Sequence, residues 1–533
     1  MKPTLTLLPA LLVAPLAVLE AAGTEAAKPN ILFLITDQQT AGALSCAGNP
    51  HVKTPNLDRL AARGLRFEKS YCTFPLCCPS RATFFTSRMP HELGIHGNAD
   101  AELAVKGVPT MGELFRAAGY ETAYAGKWHL QVAFPAFKGG QTPGFDVLPL
   151  AGRDPHQIDK DQDGKGLTVD PNTADAAIKF LGQPHAKPFL LVVSILNPHD
   201  ICEYPECAAL RKLLPDDPAK LPAARPNLRD TEPLPTAIQK SIVARAHWTD
   251  QQWREYLWAY YRLVEIADAE AGRVLAALDQ AGLRDNTVIV FTSDHGEMMG
   301  SHQLTHKQKL YEESVAVPLI VAPPAAQAGV DAEHLVSGLD ILPTVLDYAG
   351  ITAPASLEGR SLRPLVERKS VPWREFVAAE CRAFGDARMI RTARYKYIAF
   401  ATGDNREQFF DLEHNPGETK NLVADSALAG EVASHRNLFE QWMKSTNDKF
   451  GTAPAVVPSG KGKASAAAAK SSTDRGVQFE RKDANRDSKL SLEEFMAHQP
   501  DKETGKKRFG KLDGNKDGFL SRDEFINTGV KTK

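Results

Sequence analysis

The chain has 533 residues, of which 43% are hydrophobic and 24% charged, with a formal net charge of -2. That is too long for one simple domain, and the balance is that of a globular protein rather than a disordered or fibrous one. A charge so near zero gives no global basic field for nucleic acid or an anionic membrane, so a polyanionic substrate has to be met by local basic residues.

Residues 1–27 read as a signal peptide. Lys2 gives a short positive start, Leu5 to Leu19 is apolar apart from Thr6 and the prolines, and Ala21, Ala22 and Gly23 follow. The run is shorter than the ~20 apolar residues a membrane span needs, and no other stretch approaches that length. The expectation is an exported protein, periplasmic or secreted, with no transmembrane anchor. There are seven cysteines, at 46, 72, 77, 78, 202, 207 and 381. An odd number leaves at least one thiol unpaired, and pairing of Cys202 with Cys207 depends on geometry that spacing alone does not fix.

Between residues 28 and 375 the pattern is α/β. Three apolar runs, Ile31 to Ile35, Phe189 to Leu196 and Thr287 to Phe291, read as strands covered on both faces. Each ends in polar residues: Thr36-Asp37-Gln38, Asn197-Pro198-His199 and Thr292-Ser293-Asp294-His295. Helical patterns, such as Thr110 to Ala118 and Tyr256 to Ala281, lie between them, which predicts a sheet with helices on both sides. Ligands in such sheets bind beyond the carboxyl ends of the strands, where Asp37, His199, Asp294 and His295 fall.

Residues 376–450 change character. Arg388 to Phe400 alternates and is rich in β-branched and aromatic residues, and a helical stretch ends near Trp442. This predicts a small antiparallel sheet with one helix packed on it. Residues 451–475, rich in Ala, Ser, Gly, Pro and Lys, read as a flexible linker.

Residues 476–533 carry a repeat with a period of 30: Phe479, Asp483, Asn485, Asp487, Leu490, Ser491, Glu494 and Phe495 recur as Phe509, Asp513, Asn515, Asp517, Leu520, Ser521, Glu524 and Phe525. This resembles an EF-hand pair, in which a hard cation takes oxygens from alternate loop positions. The second loop would offer Asp513, Asn515, Asp517, the Phe519 carbonyl, Ser521 and Glu524, with Gly518 at the sharp turn. The first would offer Asp483, Asn485, Asp487, the Lys489 carbonyl, Ser491 and Glu494, with Ser488 in place of glycine. A dockerin-like attachment module is the variant reading. A third stretch, Asp159 to Gly164, imitates the start of such a loop but has Leu167 where an oxygen is needed, and reads as a polar turn first.

The run Pro75-Leu76-Cys77-Cys78-Pro79-Ser80-Arg81, followed by an apolar helix start, resembles the signature of type I, formylglycine-dependent sulfatases of the alkaline phosphatase superfamily. The family pattern usually ends in Thr-Gly, where this chain has Thr86-Ser87. Further segments resemble the family in order: Ile31 to Gln38, Gly119 to His129, Asn197 to His199, Ser293 to Glu297, Lys307 to Ser314, and the tail from Arg388 to Leu422. The resemblance implies an alkaline-phosphatase-like fold with a large mixed central sheet, and a sulfuric ester hydrolase acting on a sulfated carbohydrate. It also implies that a maturation enzyme oxidises Cys77 to formylglycine (3-oxoalanine), whose hydrate attacks sulfur and then reforms the aldehyde as sulfate leaves. An unmodified thiol would be left with a covalent sulfate it does not easily release.

By position the metal ligands are Asp37, Gln38, the residue derived from Cys77, Asp294 and His295. Gln38 stands where many relatives have a second aspartate, and His295 where others have asparagine. The family implies calcium, with magnesium the alternative, although a nitrogen ligand is unusual for so hard an ion. Arg81 is expected to hold the hydrate, and Lys127 and His129 to bind hydrate and sulfate, with His129 the base for sulfate elimination. His199 and Lys307 are expected at the sulfate and the bridging oxygen, one of them as general acid. Lys309 is the rival for Lys307, which lies four residues before Tyr311 as in the family motif. His302, His306, Arg153 and His156 are candidates for the pocket wall. Taken singly, Lys127 reads first as a solvated lysine, His199 as a satisfied histidine at a strand end and Asp294 as a helix N-cap; their joint pattern carries the catalytic reading. The alternatives are a phosphodiesterase or phosphonate monoester hydrolase of the same superfamily, and an inactive calcium-binding carbohydrate-binding protein. The last is disfavoured because every expected catalytic position is filled.

Overall fold

The structure is a computed structural model that describes residues 28–98, 108–130, 141–150, 166–231, 234–242, 245, 247–383, 386–451, 489–496, 506, 509–513, 515–521 and 525. The signal peptide, Arg153, His156, the Asp159 to Gly164 turn, nearly all of the linker, and Asp483, Asn485, Asp487 and Glu524 lie outside the described residues. No described helix is long and apolar enough to cross a membrane. The chain divides into two compact units, Met1–Ala453 and Pro454–Lys533.

The first unit is built on a nine-stranded mixed sheet. At its centre Glu121–Gly126, Phe189–Pro198, Asn30–Asp37 and Thr287–Ser293 lie side by side and parallel. Leu319–Ala322 then runs antiparallel to Thr287–Ser293. The three apolar runs become these central strands because apolar layers cover both faces. Ile31, Phe33 and Ile35 pack with the helices Cys77–Thr86 and Ile341–Tyr348 on one side. Leu32 and Leu34 pack with Pro55–Ala61, Gly166–Leu181 and Asp250–Gln280 on the other. A strand with two buried faces has no reason to alternate, which is why the runs are continuous.

Two helix starts were resolved differently by the sequence. Thr110 is an N-cap, with a capping box to Glu113, and the helix is Met111–Ala117. The long helix begins at Asp250, six residues before Tyr256, because Thr249 caps it by accepting from the Gln252 amide and receives the Gln252 side chain in return. Its polar first turn hides the apolar period.

Arg388 to Phe400, read as one alternating run, is a hairpin of Ala387–Thr392 and Tyr395–Phe400. Thr392 Oγ1 closes the turn by accepting from the Tyr395 amide at 3.3 Å. With Phe376–Cys381 and Glu407–Asp411 these form a four-stranded antiparallel sheet. Helix Ala429–Ser445 covers one face through Val432, Phe439 and Trp442. The other face packs Val377, Met389 and Ile398 against Tyr71, Phe74 and Tyr311 of the large domain.

In the second unit, Lys489–Ser491 pairs antiparallel with Phe519–Ser521, with Leu490 opposite Leu520. Leu490, Phe495, Phe509, Leu512, Leu520 and Phe525 form its core. The two strand segments and the paired Leu and Phe positions are 30 residues apart, as the repeat predicts.

Candidate active site

Four parallel strands ending on one edge of the sheet deliver their next residues to one place. Asn30–Asp37 delivers Asp37 and Gln38, Glu121–Gly126 delivers Lys127, Phe189–Pro198 delivers His199, and Thr287–Ser293 delivers Asp294 and His295. Helix Cys77–Thr86 brings Cys77 from across the sheet at its first residue, and all ten of its residues are buried. Its end explains the departure from the family pattern. Ser87 takes the left-handed conformation (φ 52°) that favours glycine, and its hydroxyl donates to the Leu339 carbonyl at 2.7 Å. Gly126 is required where it stands: at φ 92°, a Cβ there would lie 2.0 Å from the Ser194 carbonyl oxygen, and the displacement would carry Lys127 with it.

Donor atoms of Asp37, Cys77, Asp294 and His295 all lie within 4.8 Å of one another, and all four residues are fully buried. His295 Nε2 is 3.3 Å from Cys77 Sγ and 3.6 Å from Asp294 Oδ1. Its Nδ1 faces the Gly296 carbonyl at 3.0 Å, which assigns the proton to Nδ1 and turns the Nε2 lone pair to the cluster. Burial works against a charged imidazole, yet Asp294 and Cys77 raise the His295 pKa. The field that does so favours a metal cation as it favours a proton. Two carboxylates, an inward imidazole nitrogen and residue 77 therefore fit a bound divalent ion.

Arg81 stands one turn from Cys77 and is fully buried. Nε donates to Asp294 at 2.9 Å and Nη2 to Asp37 at 3.1 Å, while Nη1 donates to the Lys127 carbonyl and to Ser194 Oγ, both at 2.8 Å. Arg81 thus clamps the two carboxylates and the Lys127 backbone together. Lys127 Nζ contacts Asp37 at 2.7 Å and Cys77 Sγ at 3.7 Å.

Burial opposes ionisation of the Cys77 thiol, but Lys127, Lys307, His295 and a hydrogen bond from His129 hold its pKa well below the ordinary thiol range. Burial and the charge of Cys77 push Asp37 up, and Lys127 and Arg81 outweigh them to leave it below the usual carboxylate range. Asp294 is pushed up to about 6 by burial and by Asp37. His199 also hydrogen-bonds Cys77, and is pushed down to about 3 by burial and by the charges of Lys307 and Lys127. Its Nδ1 is buried and has no hydrogen-bond partner among the described residues.

Between the rival lysines, the structure brings Lys307 in. Its ammonium donates to Gln38 Oε1 and lies 3.8 Å from Cys202 Sγ. Lys309 instead donates to the Thr305 carbonyl at 3.1 Å. Gln38 joins the cluster through its backbone amide, which donates to Asp294 Oδ1 at 3.1 Å, while its side-chain amide is bonded to Lys307 and Glu297. His302 packs at a 35° tilt on Tyr311, with ring centroids 4.7 Å apart, and bonds the Asp230 carbonyl at 2.7 Å. All seven cysteines are free thiols; Cys202 lies against Gln38 rather than pairing with Cys207.

Three supporting residues were missed in the sequence. Asp170 accepts from the Leu196 and Asn197 amides at 2.6 and 2.9 Å, fixing the strand end that presents His199. Ser194 receives Arg81. Glu297, in a recognised segment but without an assigned role, receives Gln38. No periodicity or spacing marks them, because each acts on residues distant in sequence.

A family model described as "Sulfatase" matches residues 29–351, and one described as "N-sulphoglucosamine sulphohydrolase, C-terminal" matches residues 300–445. A Delta 4,5-hexuronate-2-O-sulfatase of Bacteroides thetaiotaomicron is 31% identical over 460 residues, covering 82% of this chain and 93% of its own. A solved structure of a 2-O GAG sulfatase superposes with a TM-score of 0.71 at 27% identity, covering 80% of this chain and 94% of that one. A phosphonate monoester hydrolase of Agrobacterium radiobacter shares the fold, with a TM-score of 0.67 at 23% identity over 78% of this chain and 96% of its own.

Proposed function

The chain belongs to the sulfatase family and is an enzyme of that family, and from that premise we propose that it removes sulfate from a glycosaminoglycan-type saccharide, using oxidised Cys77 and a divalent cation. The observation that carries this is the convergence of buried Asp37, Cys77, Asp294 and His295 donor atoms within 4.8 Å of one another. The names of the 2-O-sulfatase relatives support the substrate class.

Asp37, Asp294, His295 and the oxygen on oxidised residue 77 would hold the ion, which we take as calcium with magnesium the alternative, and Gln38 stands beside them. When bound, the ion supplies Lewis-acid polarisation of a sulfuryl oxygen and acidifies a neighbouring hydroxyl. Oxidised to formylglycine, residue 77 would supply a geminal diol, and with it both an oxygen nucleophile for sulfur and a second hydroxyl through which sulfate could be released.

The chain's own residues do the rest. Arg81 fixes the carboxylates. Lys127, paired with buried Asp37 at 2.7 Å, neutralises sulfuryl oxygen next to residue 77. His129, hydrogen-bonded to that residue, is placed to take the proton from the second hydroxyl. Lys307 is the ammonium beside Gln38, and His199 is pushed down to about 3 by burial and the neighbouring lysines, which favours Lys307 as proton donor to the leaving oxygen.

We read residues 476–533 as a calcium-binding EF-hand pair attached by a flexible linker, and the protein as exported. Gly518 has φ 86°, and its amide donates to Asp513 Oδ2 at 3.2 Å, folding the second loop back on its first carboxylate. Asp513 Oδ1 is buried without a hydrogen-bond partner among the described residues, as a ligand atom would be. The paired Leu490 and Leu520 strands link the two loops.

The test is turnover by matured enzyme on a panel of sulfated mono- and oligosaccharides, with aryl sulfate and aryl phosphonate in parallel. Release of sulfate from a uronate- or hexosamine-containing saccharide supports the reading. Preference for the phosphonate overturns it in favour of the other branch of the superfamily, and a Cys77 peptide that keeps its thiol after co-expression with the maturation machinery overturns the formylglycine mechanism.

A further inference from the structure

Gln38 is the joint between the metal-binding cluster and Lys307, and its geometry is unusual. Its backbone is left-handed, at φ 73°. Its amide donates to Asp294 Oδ1 at 3.1 Å, and its carbonyl accepts from the Tyr260 hydroxyl at 2.9 Å. The side chain is held at both ends. Nε2 donates to Glu297 Oε2 at 2.6 Å, and Oε1 accepts from the Lys307 ammonium.

Which end of an amide is oxygen is decided by its neighbours. Cys202 Sγ, at 3.3 Å from Nε2 and 3.4 Å from Oε1, suits either orientation; the Lys307 ammonium, a pure donor, and a pure acceptor decide it together, and that acceptor is Glu297, which is fully buried. Its Oε1 accepts from the Tyr256 hydroxyl at 2.7 Å, the Met299 amide at 3.2 Å and the His306 amide at 2.7 Å. Its Oε2 is left for Gln38. The carboxylate is an acceptor on every side, so the group facing it has to be NH₂, and the far end of Gln38 has to be oxygen. The reverse amide would set oxygen against the buried carboxylate and NH₂ against the Lys307 ammonium, two repulsive contacts.

We propose that Glu297 is a positioning residue that acts through Gln38: it forces an oxygen toward Lys307 and so fixes where that ammonium stands. This rests on the sulfatase reading only for its catalytic consequence; the orientation itself is a property of the folded chain.

The experiment is a cycle between positions 38 and 297. In E297Q, the two backbone donors of Met299 and His306 claim the new amide oxygen, so its NH₂ faces Gln38. Gln38 then turns its oxygen toward position 297 and its NH₂ toward Lys307. Adding Q38E restores an oxygen on both sides. Q38E alone sets two carboxylates against each other. We expect kcat/KM of matured E297Q to fall about 10- to 100-fold, the scale of second-sphere losses, Q38E to fall as well, and Q38E/E297Q to recover most of the loss. Urea unfolding of the unmatured, chelator-treated proteins gives the same cycle without turnover: both single changes lower the midpoint and the double change restores it.

A double variant that is unfolded, or no better than either single variant in both readouts, overturns the proposal, as does an E297Q enzyme equal to wild type. If wild type releases no sulfate while the unfolding cycle shows rescue, the functional reading has failed and the positioning stands.

Discussion

Lys127 Nζ lies 2.7 Å from Asp37 Oδ2, and neither side chain is more than 2% exposed. Arg81 reaches the same carboxylate oxygen from the other side at 3.1 Å. Removing the lysine takes one counter-charge from Asp37 and an ammonium 3.7 Å from Cys77 Sγ. Lys127→Met should lower kcat about 10²- to 10³-fold, the scale of losing one charge-stabilising donor. Steady-state kinetics on an aryl sulfate, with circular dichroism to confirm folding, checks it.

If Lys307 protonates the leaving oxygen, its removal should matter most when the leaving group is a poor one. Lys307→Ala should cost at least about ten times more in kcat on a saccharide sulfate than on a nitrophenyl sulfate, whose phenolate needs no proton. Equal losses on both substrates would assign the proton to another group, and His199→Ala run in parallel would show whether that group is His199.

The cluster of Asp37, Asp294 and His295 should make core stability depend on a divalent ion. An ion present at a hundred times its dissociation constant adds about 2.7 kcal/mol. Chelation should therefore lower the unfolding temperature of residues 28–450, and Asp294→Asn should abolish that dependence. Differential scanning calorimetry of both proteins with and without chelator decides it.

His91 ties the large domain to the smaller sheet and its helix. Its Nδ1 faces Glu380 Oε2 at 3.2 Å and its Nε2 faces the Thr446 carbonyl at 3.2 Å, so both nitrogens meet acceptors. Arg388 stands behind them, 3.6 Å from Glu380 and 2.6 Å from Asp448. Burial lowers the imidazole pKa, but the Glu380 hydrogen bond and the charges of Glu380 and Asp448 raise it above 6.5 overall. A raised folded-state pKa stabilises fully below 6.5 and progressively less as pH climbs through the folded value. The stability gap between wild type and His91→Gln should therefore be widest near pH 6 and shrink by pH 9, as read by urea unfolding.

Calcium removal should loosen residues 476–533 first. Hydrogen exchange should rise around Leu490 and Leu520 on chelation while Ile31 to Ile35 stays protected, and Asp517→Ala should raise exchange at Phe519 and Leu520 even with calcium present. Loss of activity with the tail still protected would reverse the roles assigned to the two metal sites.

How far the sequence carried the site depends on the kind of signal each residue leaves. Asp37, His199, Asp294 and His295 were legible because each follows an apolar run, and a strand's end can be read from where hydrophobicity stops. Lys127 and Lys307 were legible only by resemblance to family motifs. Lys307 and Lys309, two residues apart, differ in space: the first meets Gln38 and the second the Thr305 carbonyl. The start of the Asp250–Gln280 helix was obscured because its first turn is polar, and the hairpin at Thr392 was hidden because both strands carry the same alternation.

The sequence by itself determined the α/β class, the strand ends that carry ligands, the cysteine at the start of its helix and the 30-residue repeat of the tail, since all of these are local patterns of polarity and spacing. The tertiary structure alone decided which carboxylates Arg81 clamps, which way the Gln38 amide faces and which groups Glu297 and Asp170 accept from. Those are contacts between residues far apart in the chain, and a buried polar group's partner is set by what the fold brings within hydrogen-bonding distance, which no local pattern encodes.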